Sequence, residues 1–400
     1  MTRFRSVRNL RHNFHEFVEA VIAKYPRIYL GGVVLLALAG YAVILLFPFL
    51  LLAGIPSIYQ ALTAGNDIAW QTVSLWLVIT IISGLVSCRY IQYKPSLPAG
   101  LTLIENKAPE LFRLVRQMRS HFKRPVIHRI VITPDYELDI IKTPRWALPV
   151  WSVNTLVIGL PLLQCLTARQ FECMVARRLG QFSKRENPLT NWLYQLRAIW
   201  QQYHASYRQQ KGTGVEPMKW IFSAYAPLYS ACSVYAARRD ELNADLYAME
   251  VFNDEEVCEM VTADAVCRYY LHNRYWPAVH KIAAIETKTL PAPHSKMAAA
   301  VHATLKAENL AKLVDETLKE KQARKSPVPT LQTRIQNIGH STPHREELDG
   351  TSAAEQYLST SINGVIAVID KLWLKTLLEE RKKQQPKRHK HAVTTPATSP

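Results

Sequence analysis

The sequence predicts an α+β chain: an N-terminal membrane hairpin of two apolar helices, then a mainly helical domain carrying a small β-sheet. Three observations predict it. Residues Ile28 to Asn66 contain no charge, and neither do Ile68 to Cys88. Between Ile127 and Gly159, short apolar runs alternate with polar residues as half-buried strands do. From Thr167 onward, apolar residues recur at three- and four-residue spacing almost to the end of the chain.

The first 27 residues are basic, with Arg3, Arg5, Arg8, Arg11, Lys24 and Arg27 against Glu16 and Glu19. Phe14, Phe17, Val18, Val21 and Ile22 predict a short amphipathic helix on a membrane surface. The hairpin is expected over 28–93, with spans at about 28–55 and 68–88 separated by Pro56 and the Gly65-Asn66-Asp67 turn. Either run covers the ~30 Å of a bilayer core at ~1.5 Å per residue. The first is too long for a signal-peptide core. Basic residues precede the first span, and Arg89, Lys94 and Lys107 follow the second, while the connection holds only Asp67. Both termini and the large domain are therefore expected in the cytoplasm.

Lys94–Gly100 is a linker, and the domain is expected over 99–383. Ala108–Phe122 reads as a helix with Leu111, Leu114, Val115 and Met118 on one face. Ile127–Thr133 reads as a strand with Tyr136–Lys142 as its partner, Pro144–Trp151 as a loop or hairpin, and Val153–Gly159 as a further strand. A turn is expected around Pro161. Thr167 and Gln170 form a capping box for a helix through Ser183, whose apolar face is Phe171, Met174, Val175, Leu179 and Phe182. Pro188 opens a helix to about Gln210, and after the Lys211–Gly214 loop Pro217 opens another to about Phe252. Further helices are expected from Asp254 as cap to Leu271, over Lys296–Lys325, over Thr330–Ile338 with Gly339 as the stop, and over Ser352–Lys383. The tail, 384–400, is basic and then Thr/Pro/Ala-rich, so disorder is expected there.

Composition narrows the partners. The 400 residues hold 49 Lys and Arg against 32 Asp and Glu, a formal net charge of +17. That implies an acidic partner surface, anionic lipid or nucleic acid. With a membrane hairpin present, lipid is the simpler partner for the basic run Arg381–His391. The six cysteines contain no C-x-x-C pair, which argues against a zinc ribbon or a redox motif. They are expected to be reduced, mostly buried thiols.

Two stretches together carry a resemblance. The first is Leu160-Pro161-Leu162-Leu163, then Leu166-Thr167 and the helix with Ala-Arg177-Arg178-Leu-Gly-Gln181-Phe. The second is Arg238-Arg239-Asp240-Glu241-Leu242-Asn243-Ala244-Asp245. In order and spacing they resemble the HtpX and CAAX prenyl protease family of membrane-anchored zinc metallopeptidases. That family has a helix with H-E-x-x-H and a later helix with E-x-x-A-D. The resemblance covers about Ala99 to Lys383 and implies a zincin-like domain at a bacterial-type inner membrane. Residue by residue, it puts the two histidine ligand positions at Arg177 and Gln181, the general base at Arg178 and the third ligand at Glu241, with Asp245 as the motif's aspartate. A guanidinium has no lone pair to give a metal, and an amide is a poor zinc ligand.

The chemistry expected at that frame is therefore altered: no catalytic residue, no metal and no cofactor. Arg177 is expected to pair with Glu241 near Asp245, the alternative being a side chain that snorkels to solvent. Tyr136-Glu137-Leu138 matches the strand that lies beside the family's substrate and is a candidate peptide-binding edge. The function implied is a pseudopeptidase that binds or regulates a peptide, a membrane-protein client or an active relative. Two other functions stay open. One is a working metalloendopeptidase with zinc on non-standard ligands, although His340 and His344, four apart, fall in a Ser-Thr-Pro loop, and His272 and His280 lack a carboxylate or His partner at ligand spacing. The other is a membrane scaffold whose tail binds lipid or nucleic acid.

Overall fold

The computed structural model describes residues 24–63, 70–91, 97–122, 126–145, 148–183, 188–209, 215–285, 291–305, 307–323, 326–345 and 350–392. The expected surface helix at Phe14–Ile22, the Gly65-Asn66-Asp67 turn, the first residues of the Lys94–Gly100 linker, the Lys211–Gly214 loop and the end of the tail from 393 lie outside the described residues.

Helix α1, Pro26–Thr63, and α2, Trp70–Ile91, pack side by side, and both are long and apolar enough to cross a bilayer. α1 does not stop at Pro56 as expected but continues to Thr63. A proline costs one helix hydrogen bond, whereas unwinding an apolar segment would leave several backbone groups without partners. At 38 residues α1 is about 57 Å long, well beyond a bilayer core. One face of α1 is covered by protein within the expected span. Val33, Ala37 and Ile44 are buried against α6, Pro188–Gln209, and α7, Glu216–Ala248. There they meet Trp200, Tyr203, Phe222 and Tyr229 in a second core of largely aromatic residues. The Tyr225 hydroxyl donates to the Leu36 carbonyl at 2.7 Å. The contact needs Gly40, because a Cβ there would lie 2.4 Å from the Tyr225 oxygen.

The domain begins with β1, Leu101–Leu103, and α3, Pro109–Phe122. Strands β2, Arg129–Thr133, β3, Leu138–Arg145, and β4, Leu148–Gly159, complete a four-stranded sheet of order β1-β2-β4-β3. The expected pairing of Tyr136–Lys142 with Ile127–Thr133 is wrong. β4 lies between them, parallel to β2 and antiparallel to β3. Thr155, Leu156, Val157 and Ile158 are fully buried, so β4 is the segment able to hold the centre, while β3 takes an edge. Of the Pro144–Trp151 segment, Pro144 and Arg145 lie in β3 and Leu148–Trp151 in β4.

Helices then cover the sheet. A short α4, Leu160–Cys165, stands where a turn was expected, since Pro161 fits the first turn of a helix. α5, Ala168–Ser183, starts at the expected capping box: Thr167 N–H donates to Gln170 Oε1 at 3.1 Å and Gln170 N–H to Thr167 Oγ1 at 3.3 Å. α8, Asp254–Tyr270, is capped by Asn253 rather than Asp254, through a capping box with Glu256. It runs on through a π-turn, Leu271–Tyr275, into α9, Trp276–Ile285. The expected single helix over Lys296–Lys325 is two, α10, Pro293–Thr304, and α11, Ala307–Leu318. α12, Leu331–Asn337, is capped by Thr330 and followed by Gly339 at φ +87°. The last predicted helix is likewise divided, into α13, Ala353–Leu358, and α14, Ile362–Ala392, by Ser359 at φ +36°. α14 carries helix past Gln384, where disorder was expected; Lys and Arg are good helix formers and extend it.

Candidate functional site

The two motif helices face each other. Arg177 and Gln181 are one turn apart on α5, and Glu241 and Asp245 one turn apart on α7, so each pair shares a face. The helices meet closely at Gly180, where a Cβ would lie 2.5 Å from the Tyr247 Cβ and 3.1 Å from the Phe122 ring. The residues singled out from the sequence therefore converge.

Arg177 is buried and donates to both acids. Its Nε lies 2.6 Å from Asp245 Oδ1, and one terminal nitrogen lies 2.6 Å from Glu241 Oε2 and 3.2 Å from the Glu241 carbonyl. It does not snorkel: its side chain is 4% exposed. Gln181 Nε2 donates to Glu241 Oε1 at 3.1 Å and to Asp240 Oδ2 at 3.0 Å. Arg178 donates to Gln181 Oε1 and lies 3.4 Å from Glu241 Oε1 and 3.8 Å from Asp139. Burial opposes a charge on Glu241, but Arg177 and Arg178 outweigh it and hold the carboxyl below the ordinary range.

The network extends further than the sequence motifs. Arg334 of α12 donates through Nε and a terminal nitrogen to both Asp245 oxygens, at 2.9 and 2.8 Å. Its other terminal nitrogen donates to Asp264 Oδ2 of α8 at 2.9 Å. Arg268 donates to Asp264 Oδ1 at 3.0 Å. Burial raises the Asp264 pKa, but Arg268 and Arg334 bring it down to about 2. Four helices, α5, α7, α8 and α12, are thus joined by alternating guanidinium and carboxylate groups, most of them buried. Asp240, Asp264 and Arg334 were not picked out as site residues. Arg334 did carry a signal: with Leu331, Ile335 and Ile338 it occupies the buried face of an amphipathic turn, where a cation demands a partner.

This donor set does not fit a zinc ion. Both Glu241 oxygens already accept hydrogen bonds, Arg177 has no lone pair, and Gln181 offers its amide N–H groups to acids. Arg178, a cation, cannot take a proton from water. Among the described residues no group of three His, Cys, Asp or Glu side chains is placed to hold a metal. The remaining histidines are spread: His280 lies tilted against both Trp276 and Trp373, ring centres 6.2 Å apart, His340 lies 3.4 Å from Asp254, and His294 is buried between Asp370 and the Pro134 carbonyl.

A cleft of about 320 Å³ opens beside this lattice. Its walls are β3 from Asp139 to Lys142, the Arg178–Gln181–Phe182 edge of α5, and Ala198, Ile199 and Gln202 of α6. β3 is the sheet edge, but the candidate edge at Tyr136-Glu137-Leu138 needs correction. Tyr136 and Glu137 precede the strand; Tyr136 is packed under the Arg268 guanidinium, and the Glu137 carbonyl is taken by Gly159 N–H at 2.7 Å. Only Leu138 lies in β3. Since the Glu137 carbonyl faces β4, the period of two turns the main-chain groups of Ile140 and Lys142 outward to the cleft. In agreement, Ile140 N–H donates to the Asp139 carboxylate at 2.7 Å rather than to β4.

Comparison with known proteins adds no relative: no family model, no curated protein and no solved structure matches the chain.

Proposed function

We propose that the chain is a degenerate, membrane-anchored member of the HtpX and CAAX prenyl protease family, a pseudopeptidase that holds an extended peptide without cutting it. One observation carries this reading. The ligand and base positions implied by the resemblance, Arg177, Arg178, Gln181 and Glu241, meet across two helices beside a sheet edge, yet are tied to one another by hydrogen bonds. The frame of a catalytic site is retained, and its reactive groups have become a clamp. The edge at Ile140 and Lys142 supplies what peptide holding needs, main-chain groups that turn away from β4 and line a cleft.

The hairpin anchors this domain at the bilayer. Its flank away from α6 and α7 is apolar and bare; Leu35, Phe49 and Leu52 are each about two-thirds exposed, a surface that hydrocarbon would cover. The basic flanks support a cytoplasmic side for the domain. Reporter fusions after Gly100 and after Asn66 test that side, and a periplasmic signal from the Gly100 fusion overturns it. Zinc analysis of the purified full chain, with a casein assay and peptide-binding titrations, tests the pseudopeptidase. The expected result is peptide binding with neither stoichiometric zinc nor cleavage. Zinc lost together with cleavage on chelation would establish a working metallopeptidase instead.

A further inference from the structure

Lys142 is a cation with an unusual setting. Its main chain faces outward into the cleft, and its ammonium lies 4.7 Å from the centre of the Phe182 ring. The side chain is half-buried, and no carboxylate among the described residues comes within ion-pair reach of it. Burial pushes its pKa down, with no anion to oppose the shift. A ring face recovers part of the lost hydration, but a carboxylate would recover more. Arg178 adds a second positive charge to the same cleft, and Asp139 is the single carboxylate among its lining residues. The rest of the wall is apolar or amide: Ile141, Ala198, Ile199 and Gln202.

We infer that the cleft selects extended peptides bearing an acidic side chain, with Lys142 as the residue that recognises it. This rests on the peptide-holding reading above and narrows its ligand. A peptide lying along β3 pairs its main chain with Ile140 and Lys142. The peptide residue opposite Lys142 then comes within cross-strand reach of the ammonium. β3 continues on both sides of Lys142, from Leu138 to Arg145, so a bound segment passes it in both directions. The acid is therefore an internal Asp or Glu and not a chain end.

The test uses the full chain in detergent micelles and fluorescence anisotropy. The probes are short labelled Ala/Thr/Val peptides, acetylated and amidated, differing only in a central Glu, Gln or Lys. A further peptide has no Glu but a free C-terminal carboxylate. The Glu peptide is expected to bind about tenfold more tightly than the Gln peptide, an advantage that shrinks with salt. Lys142→Met should abolish the difference between the Glu and Gln peptides, and Lys142→Glu should transfer the preference to the Lys peptide. The ranking on the unsubstituted protein stands even if a variant fails to fold. Equal binding of Glu and Gln peptides overturns the acidic selection and leaves peptide holding intact. Binding of the free-acid peptide as tight as that of the Glu peptide overturns the side-chain assignment. Absence of binding by every peptide overturns both readings.

Discussion

Arg177 and Arg178 are neighbours in sequence, and the turn of about 100° between consecutive helix residues sends one into the core and the other to the cleft. Arg177 is enclosed and bonded to two carboxylates from the facing helix. Arg178 is partly open, bonded to Gln181 and within a few ångströms of acids on both β3 and α7. The same side chain therefore does two kinds of work. In the core, a charge contributes only as long as every partner stays in place. At the rim, water reaches the charge and weakens each bond it makes.

The sharpest way to break that comparison is to remove a partner on each side. Asp245→Ala leaves Arg177 and Arg334 buried without the carboxylate they share. The expected loss is ~3–5 kcal/mol, measured by denaturant melts. Arg178→Ala should cost ~1 kcal/mol or less. Arg177→Ala and Glu241→Ala should each be costly alone and partly compensated when combined. Additive losses below ~1 kcal/mol at Arg177, Glu241 and Asp245 would put the core arginine in the same class as the rim one.

Acid sharpens it further. Glu241 and Asp264 both have carboxyl pKa values depressed in the folded chain, Asp264 to about 2. A depressed carboxylate stabilises the fold above its unfolded value, ~4, and that contribution is lost as pH falls through the folded value. Thermal melts should therefore decline below pH ~4, more steeply in the native chain than in Asp264→Asn. Arg178→Ala should change the slope less than Arg177→Ala. A melting temperature indifferent to pH between ~4 and ~2 would mean that the lattice adds little.

Much of this was legible in the sequence, and the reason differs by region. The two apolar helices and the capping box at Thr167 follow from local rules of length, spacing and turn period, whereas the facing of Arg177 on Glu241 was an expectation of the resemblance and not of any local pattern. Strand order was not legible. Tyr136–Lys142 alternates like a partner of either neighbour, and only the full burial of Thr155–Ile158 decides that β4 is central. Asp264 and Arg334 were missed for a similar reason. They are separated from Asp245 by 19 and 89 residues, and no local pattern announces that three distant helix faces share one carboxylate. The use of α1 as a wall for α6 and α7 also lay beyond reach, because lipid and an aromatic helix face call for the same apolar residues.

The smallest expected effect separates charge from edge at the rim. Asp139 does two things: its Oδ1 accepts the Ile140 N–H at 2.7 Å, and it lies 3.8 Å from Arg178. Asp139→Asn keeps an oxygen for the N–H and removes the charge. Its side chain is more than one-third exposed, so stability should move by no more than ~0.5 kcal/mol. With that carboxylate gone, the field of Lys142 and Arg178 is less opposed, and a Glu-bearing peptide should bind about two- to threefold more tightly at low salt. A neutral peptide should not notice. Asp139→Ala also frees the Ile140 N–H, so both peptides should gain, since a ligand carbonyl can now take that bond without displacing a side chain. Anisotropy titrations of the two variants with Glu and Gln peptides resolve the contributions. If Asp139→Asn raised both peptides equally, the cleft would be reading backbone alone. If neither variant changed either peptide, the ligand would lie away from β3.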